Sequence, residues 1–196
     1  MKKHIIRYAS FALAILGMVS CSEEQETALR PQDAKSTPMT FLVSHPGQAT
    51  RATETSFEQN DRIGLYVADA KAQLEIGGNL VNNEALTYDG SKWAAARTLY
   101  WDKGTYTAYA YYPYMEDVSS ITDQPFSVVL DQSTAKSKEA LGGYEASDLL
   151  FASSKNISAS ASPIPLNFKH IMSKLKIRLI KGEDFEGDMP TTAQVT

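Results

Sequence analysis

The sequence predicts an all-β protein, an antiparallel β-sandwich of seven or more short strands. Three observations carry this expectation. Apolar residues come in short runs that alternate with polar ones at period two. Gly, Pro and Asp punctuate those runs at close intervals, and no long amphipathic helical stretch interrupts them. Ten Tyr, seven Phe and two Trp favour strands over helices. A chain of 196 residues makes one sizeable domain or two small ones. With 43% apolar and 21% charged residues it buries a real core, which excludes wholesale disorder.

The chain opens with Lys2, Lys3 and Arg7, and an apolar run follows over about residues 8–19. A basic start before an apolar run of this length is a secretory signal, too short to span a bilayer comfortably. The run ends at Met18-Val19-Ser20-Cys21, and Ser22-Glu23-Glu24-Gln25-Glu26 follows. Cys21 is the only cysteine, so neither an intramolecular disulfide nor a Cys-rich zinc site is available. A single Cys at this junction resembles a bacterial lipoprotein signal, and the acidic run after it resembles the surface-export signal of Bacteroidota. That resemblance implies acylation of Cys21 and removal of residues 1–20. Loss of Lys2, Lys3 and Arg7 takes the net charge from −4 to −7. Lipid, not basic residues, must then hold the protein at the outer membrane.

Residues 21–37 are polar, contain Arg30-Pro31 and read as a tether. The next run, Pro38-Met39-Thr40-Phe41-Leu42-Val43-Ser44, is a strand with Met39, Phe41 and Val43 on one face, ended by His45-Pro46-Gly47. Arg51 follows among small residues, as Ala49-Thr50-Arg51-Ala52-Thr53. Ile63-Gly64-Leu65-Tyr66-Val67-Ala68 is a dense strand. Asp89-Gly90-Ser91 joins two strand candidates, Leu86-Thr87-Tyr88 and Lys92-Trp93-Ala94, as a hairpin. The run 98–101 leads into a turn at Asp102-Lys103-Gly104. Residues 105–112 alternate Tyr106, Ala108, Ala110 and Tyr112 against Thr107, Tyr109 and Tyr111, and Pro113 ends them. Short strands are also expected at 126–130 and 149–152, with a polar stretch between them. Residues 153–162 are rich in Ser and Ala and read as a loop. Strands at 164–168 and 173–180 close the region, with one helical turn allowed at 169–172.

The chemistry-bearing residues give no catalytic motif. There is no glycine-rich phosphate loop, no G-x-S-x-G elbow and no metal motif, so neither an enzyme nor a cofactor is expected. His4, His45 and His170 lack ligand spacing, and His170 reads as a packed or capping residue. A net charge of −4 argues against nucleic acid. Asp61 and Arg62 read as turn chemistry and solvated charge. The tyrosine cluster and both tryptophans read as core and cross-strand pairs.

Five landmarks in order resemble Bacteroidota fimbrillins. They are Thr50-Arg51-Ala52; Phe57-x-x-Asn60-Asp61-Arg62-Ile63-Gly64-Leu65; Tyr100-Trp101 with 106–114 ending in Tyr112-Pro113-Tyr114; Asp148-Leu149-Leu150; and Phe168-Lys169-His170-Ile171-Met172-Ser173-Lys174-Leu175. Asn60 stands where that family usually has Gly, and Asn tolerates a left-handed backbone. The resemblance runs from Cys21 to about Ile180 and implies a pilus subunit made as a lipoprotein precursor. Such subunits have two tandem transthyretin-like sandwiches. An Arg-specific protease removes an N-terminal strand, and a strand of the next subunit refills the groove. Transferred here, the signal is 1–20, the tether and removable strand 21–51, the first sandwich 52–181, and the start of a linker 182–196. The second sandwich is missing from this sequence, so the chain is expected to accept a strand but not to donate one. Met39, Phe41 and Val43 become the plugs of the removable strand. Arg51 becomes the cut site in preference to Arg30, which Pro31 shields. Stalk, tip and anchor roles stay open. The alternative is a surface lipoprotein that binds glycans through exposed tyrosines such as Tyr111 and does not polymerise.

Overall fold

Burial pattern decides where each strand sits. In Arg62–Asp69 (β2) six consecutive residues are buried, on both faces. A strand with two apolar faces belongs in the middle of a sheet that is covered on both sides. In the computed structural model, which describes residues 37–47, 56–137, 140–173, 178 and 180–188, β2 lies between Val81–Tyr88 (β3) and Thr105–Tyr112 (β5). Trp93–Ala95 (β4), Leu150–Ser158 (β6) and Lys169–His170 (β8) complete a six-stranded sheet of order β4-β3-β2-β5-β6-β8. Every pairing in it is antiparallel. A second layer holds Phe41–Ser44 (β1) and Ile164–Asn167 (β7), and these two run parallel.

The core lies between the layers. Ile63, Leu65 and Val67 of β2 are fully buried, as are Ala108 and Ala110 of β5 and Leu150 of β6. They meet Ile164, Leu166 and Phe168 from the second layer, with Met39 beside them. Trp101 is 1% exposed and anchors one end, its ring 5.7 Å from that of Tyr106. Among the described residues there is no α-helix, only a 3₁₀ turn at Glu145–Ser147.

Local chemistry fixes the turns. Asp89 accepts hydrogen bonds from the backbone N–H groups of Ser91 (2.8 Å) and Lys92 (2.9 Å). Gly90 supplies the left-handed residue at φ 99°. The hairpin then stacks Tyr88 on Trp93 at 5.2 Å. Asn60, in the position where the resemblance expects Gly, has φ 75°. Two bulges also use asparagine: Asn83 at φ 41° in β3, where the β2 pairing shifts register, and Asn156 at φ 57° in β6, where the β5 pairing shifts. The bulged Asn83 donates from Nδ2 to the Met115 carbonyl (2.9 Å) and accepts from the Tyr111 hydroxyl (2.6 Å).

Several expectations are corrected. Residues 126–130 form no strand. Val128, Val129 and Leu130 are exposed, Leu130 completely, and the Val129 N–H donates to the Ser147 hydroxyl (2.9 Å) rather than to a ladder. The Ser/Ala-rich run is not a loop from its start: β6 continues to Ser158, since small residues pair readily along β5. Lys169 and His170 form β8 rather than a helical turn, paired to Phe151 and Leu150. The strand expected at 173–180 lies mostly outside the described residues.

Gly64 is paired with Tyr111 across β2 and β5, and a Cβ at Gly64 would collide with the tyrosine ring. Tyr111 is held from above by Asn83 and by Met115, so the ring cannot swing away freely. Gly64→Ala is expected to cost about 1–3 kcal/mol in urea denaturation. In a Tyr111→Ala background the same change should cost much less, giving a clearly non-additive double-mutant cycle.

Candidate functional site: the seat of the first strand

The segment 37–44, which ends in β1, has neighbours on both sides, and they come from distant parts of the chain. Along β7 the register is Phe41↔Ile164, Leu42↔Pro165, Val43↔Leu166 and Ser44↔Asn167. Ile164 N–H donates to the Thr40 carbonyl (2.8 Å) and Phe168 N–H to that of Ser44 (3.0 Å). On the other side, Met39 N–H donates to the Leu99 carbonyl (2.8 Å) and Trp101 N–H to that of Thr37 (3.0 Å). Pro38 faces Tyr100 in an antiparallel bridge. Residues that bond to β1 alternate along β7, so Pro165 turns its missing N–H to the opposite edge, where no donor to β1 is lost.

Side chains alternate as the period-two pattern requires. Met39 is buried at 6% exposure, and Phe41 and Val43 pack against the core. Leu42, between them, is 60% exposed. The three inward side chains therefore pack into the core, and the hydrophobic effect holds them there.

The C-terminal end of β1 meets a charged cluster. His45 follows the strand directly, and its ring lies 4.9 Å from Phe57 and 6.1 Å from His170, edge to face in both cases. Phe57 also makes edge-to-face contacts with Trp93, Tyr112 and Phe168. Asp61 is 3% exposed. It accepts from the Glu58 N–H (2.7 Å), the Lys136 ammonium (2.6 Å) and the Tyr112 hydroxyl (3.4 Å). The expected solvated charge at Asp61 is therefore a buried ion pair. Arg62 is exposed and lies 4.4 Å from the centre of the Tyr114 ring. Burial alone would lower the Lys136 ammonium. Its hydrogen bond to Asp61, with the charges of Asp61 and Glu58, outweighs that and holds it above the ordinary lysine value. His170 Nδ1 lies 2.9 Å from Asp148 Oδ1. Burial, then the neighbouring His170, lower the His45 imidazole below the ordinary histidine value, against upward pulls from Asp148 and Asp61. A cavity of about 20 Å³ lies among His45, Asp61, Tyr112, Lys136 and Glu145, with room for one water. Among the described residues no set of three His, Cys, Asp or Glu side chains is placed to hold a metal ion.

Of the residues expected from sequence to carry function, the structure gathers Met39, just before β1, with Phe41 and Val43 of β1 on the core-facing side. Cys21, Arg30 and Arg51 lie outside the described residues. The expected core aromatics Trp93, Trp101, Tyr106 and Tyr112 are buried. Tyr111 is half-buried, and its hydroxyl is engaged by Asn83 and Met115. Burial pushes it up to about 12, against its hydrogen bonds with Met115 and Asn83. Sequence reasoning missed His45, Lys136 and the burial of Asp61. A carboxylate one residue before a strand with two apolar faces was the available signal for Asp61. Nothing marked Lys136, which lies 75 residues away in a polar stretch.

These features define a two-layer β-protein completed by its own N-terminal strand. Residues 50–196, well over half of the chain, match the family described as fimbrillin-like, and the chain belongs to that family. A candidate fimbrium tip subunit of Bacteroides ovatus is 26% identical over 193 residues, covering 89% of this chain and 35% of that protein. The chain thus spans about a third of the length of that relative. A solved fimbrial protein from Bacteroides ovatus is 22% identical with a TM-score of 0.47, covering 68% of this chain and 28% of that one. A candidate cell adhesion protein from the same organism is 22% identical at TM-score 0.47, covering 71% and 53% respectively.

Two measurements check the site. Met39→Ala is expected to destabilise by about 2–4 kcal/mol in denaturant titrations, while Leu42→Ala stays within about 0.5 kcal/mol. The second concerns pH. His45 is lowered in the folded protein, so near and below the usual histidine pKa of 6.5 the unfolded chain binds more protons. Stability contributed by neutral His45 is complete above that pH and declines as pH falls through it. Thermal melts between pH 7.5 and 5.5 should therefore decline less steeply for His45→Gln than for the parent protein.

Proposed function

We propose that this chain is a structural subunit of a surface fimbrium, made as a lipoprotein precursor and assembled by strand exchange. Residues 1–20 act as the signal and Cys21 carries the lipid that holds the precursor at the outer membrane. Residues 21–51 form the tether and the removable strand, residues 52–181 the sandwich, and residues 182–196 lead out of it. An Arg-specific protease cuts after Arg51, which releases β1 from its covalent connection to the sandwich. A strand from another subunit then takes the same seat, and the assembled fimbrium serves adhesion.

The observation that carries this reading is the seat of β1. β1 is bonded by β7 and the residues leading into it, 37–39, are bonded on the other side by residues 99–101, and the inward side chains fill the core. Removing such a strand opens two ladder edges and an apolar groove together, which strongly favours refilling by another strand. The position of Arg51 supports the same reading. It falls between His45 at the end of β1 and Phe57 at the start of the sandwich, so a cut there separates the two while leaving both packed. Family membership supports the fimbrial setting.

The test is digestion of the purified protein with an Arg-specific protease, followed by N-terminal sequencing. A new terminus at Ala52 is expected. The 21–51 fragment should stay bound at first, then be displaced by an added peptide spanning residues 37–46, with a change in Trp101 emission as its backbone partner at Thr37 departs and returns. A folded protein that is never cut after Arg51 sinks the reading, as does a cut protein whose first strand never exchanges.

A further inference from the structure

Among the described residues, the outer face of the six-stranded sheet is incompletely covered. Strands β2, β5 and β6 turn Tyr66, Tyr109, Tyr111 and Phe151 away from the core, and the excursion from Met115 to Phe126 passes over them. Between sheet and excursion lies a cleft of about 750 Å³. Pockets for small molecules occupy about 300–1,000 Å³, so the cleft is of that size. None of its described lining residues is charged. Phe151 and Ile171 line it while remaining 40% and 56% exposed, so apolar surface continues to the mouth.

One polar atom in this lining is anomalous. Tyr66 is 3% exposed, and its hydroxyl is buried without a hydrogen-bond partner among the described residues. The adjacent Tyr111 shows the ordinary outcome, with its hydroxyl donating to Asn83 and accepting from the Met115 N–H. A buried hydroxyl with no partner is uncommon in a folded protein and calls for a physical reason. A missing acceptor supplied from outside the chain is such a reason.

We propose that this cleft binds one uncharged, mostly hydrocarbon small molecule that accepts a hydrogen bond from the Tyr66 hydroxyl. The described lining offers no counter-charge to a buried ion, which sets the ligand as uncharged. The lining also disfavours a carbohydrate, whose many hydroxyls each need a partner. The Gln124 side-chain oxygen is already taken by the Ser119 and Ser120 N–H groups. The hydroxyl is buried in the wall, so the ligand reaches it by shifting part of the 115–126 cover, and the new hydrogen bond offsets that shift. This site is on the opposite face of the sheet from β1 and does not depend on strand exchange.

The test uses Nile red, an uncharged aromatic probe with a carbonyl acceptor, titrated into the full chain and read by its blue-shifted emission. Saturable binding of one probe per protein is expected. Phe151→Glu and, independently, Ile171→Asp should each weaken it at least tenfold, with folding checked by circular dichroism. Leu130→Ser, at a fully exposed apolar residue outside the cleft, should leave it unchanged. Tyr66→Phe should raise the melting temperature and weaken the probe by about fivefold, the range of one neutral hydrogen bond. Non-saturable binding, or equal loss in Leu130→Ser and both cleft variants, overturns the site. Unchanged affinity in Tyr66→Phe overturns the role given to the hydroxyl.

Discussion

The inner face of the six-stranded sheet needs a cover, and among the described strands only β1 and β7 supply it. β7 reaches its place through the short turn after β6. β1 comes from the other end of the chain, so the core is closed by a segment held chiefly through noncovalent contacts. Met39 reaches the fully buried centre, and the flanking ladder ties residues 37–44 to β7 and to 99–101. Much else follows from this closure. Trp101 is pinned through its backbone to Thr37, and the open edges of β7 and 99–101 are occupied.

Exchange of such a strand is a near-symmetric trade. Ladder hydrogen bonds are to backbone atoms and do not depend on the sequence of the strand that makes them. Inward side chains distinguish one occupant from another through three positions, two residues apart. Before any cut, β1 is part of the same chain and has a high effective concentration in its own groove. A cut between His45 and Phe57 would remove that advantage while the described contacts of residues 37–44 stay available. In the proposed function, the protease thus changes competition for the seat rather than the seat itself.

Much of the fold was legible because it rests on local pattern. The alternation of Tyr106, Ala108, Ala110 and Tyr112, the Asp89-Gly90 hairpin and the shared inward face of Met39, Phe41 and Val43 are properties of neighbouring residues. The misses have a common cause. Residues 126–130 look like a strand in isolation, yet a strand exists only where an edge is available. Residues 153–158 look like loop, yet β5 offers an edge and they take it. Asp61 looked like a surface carboxylate because its partner Lys136 is remote in sequence. His45 was equally opaque, since its surroundings are assembled from Phe57, Asp148 and His170.

By itself the sequence determined the all-β class, the inward and outward faces of its strands, and the order of motifs that marks the family. These follow from spacing between near neighbours, which folding preserves. Only the tertiary structure decided which edges β1 occupies, that its pairing with β7 is parallel, and that a charged cluster closes the end of its groove. It also decided that the Tyr66 hydroxyl lies at a cleft with no charged lining and no hydrogen-bond partner among the described residues. Those outcomes depend on which distant segments meet, and the meeting is set by the need to bury apolar faces while satisfying every ladder edge within reach.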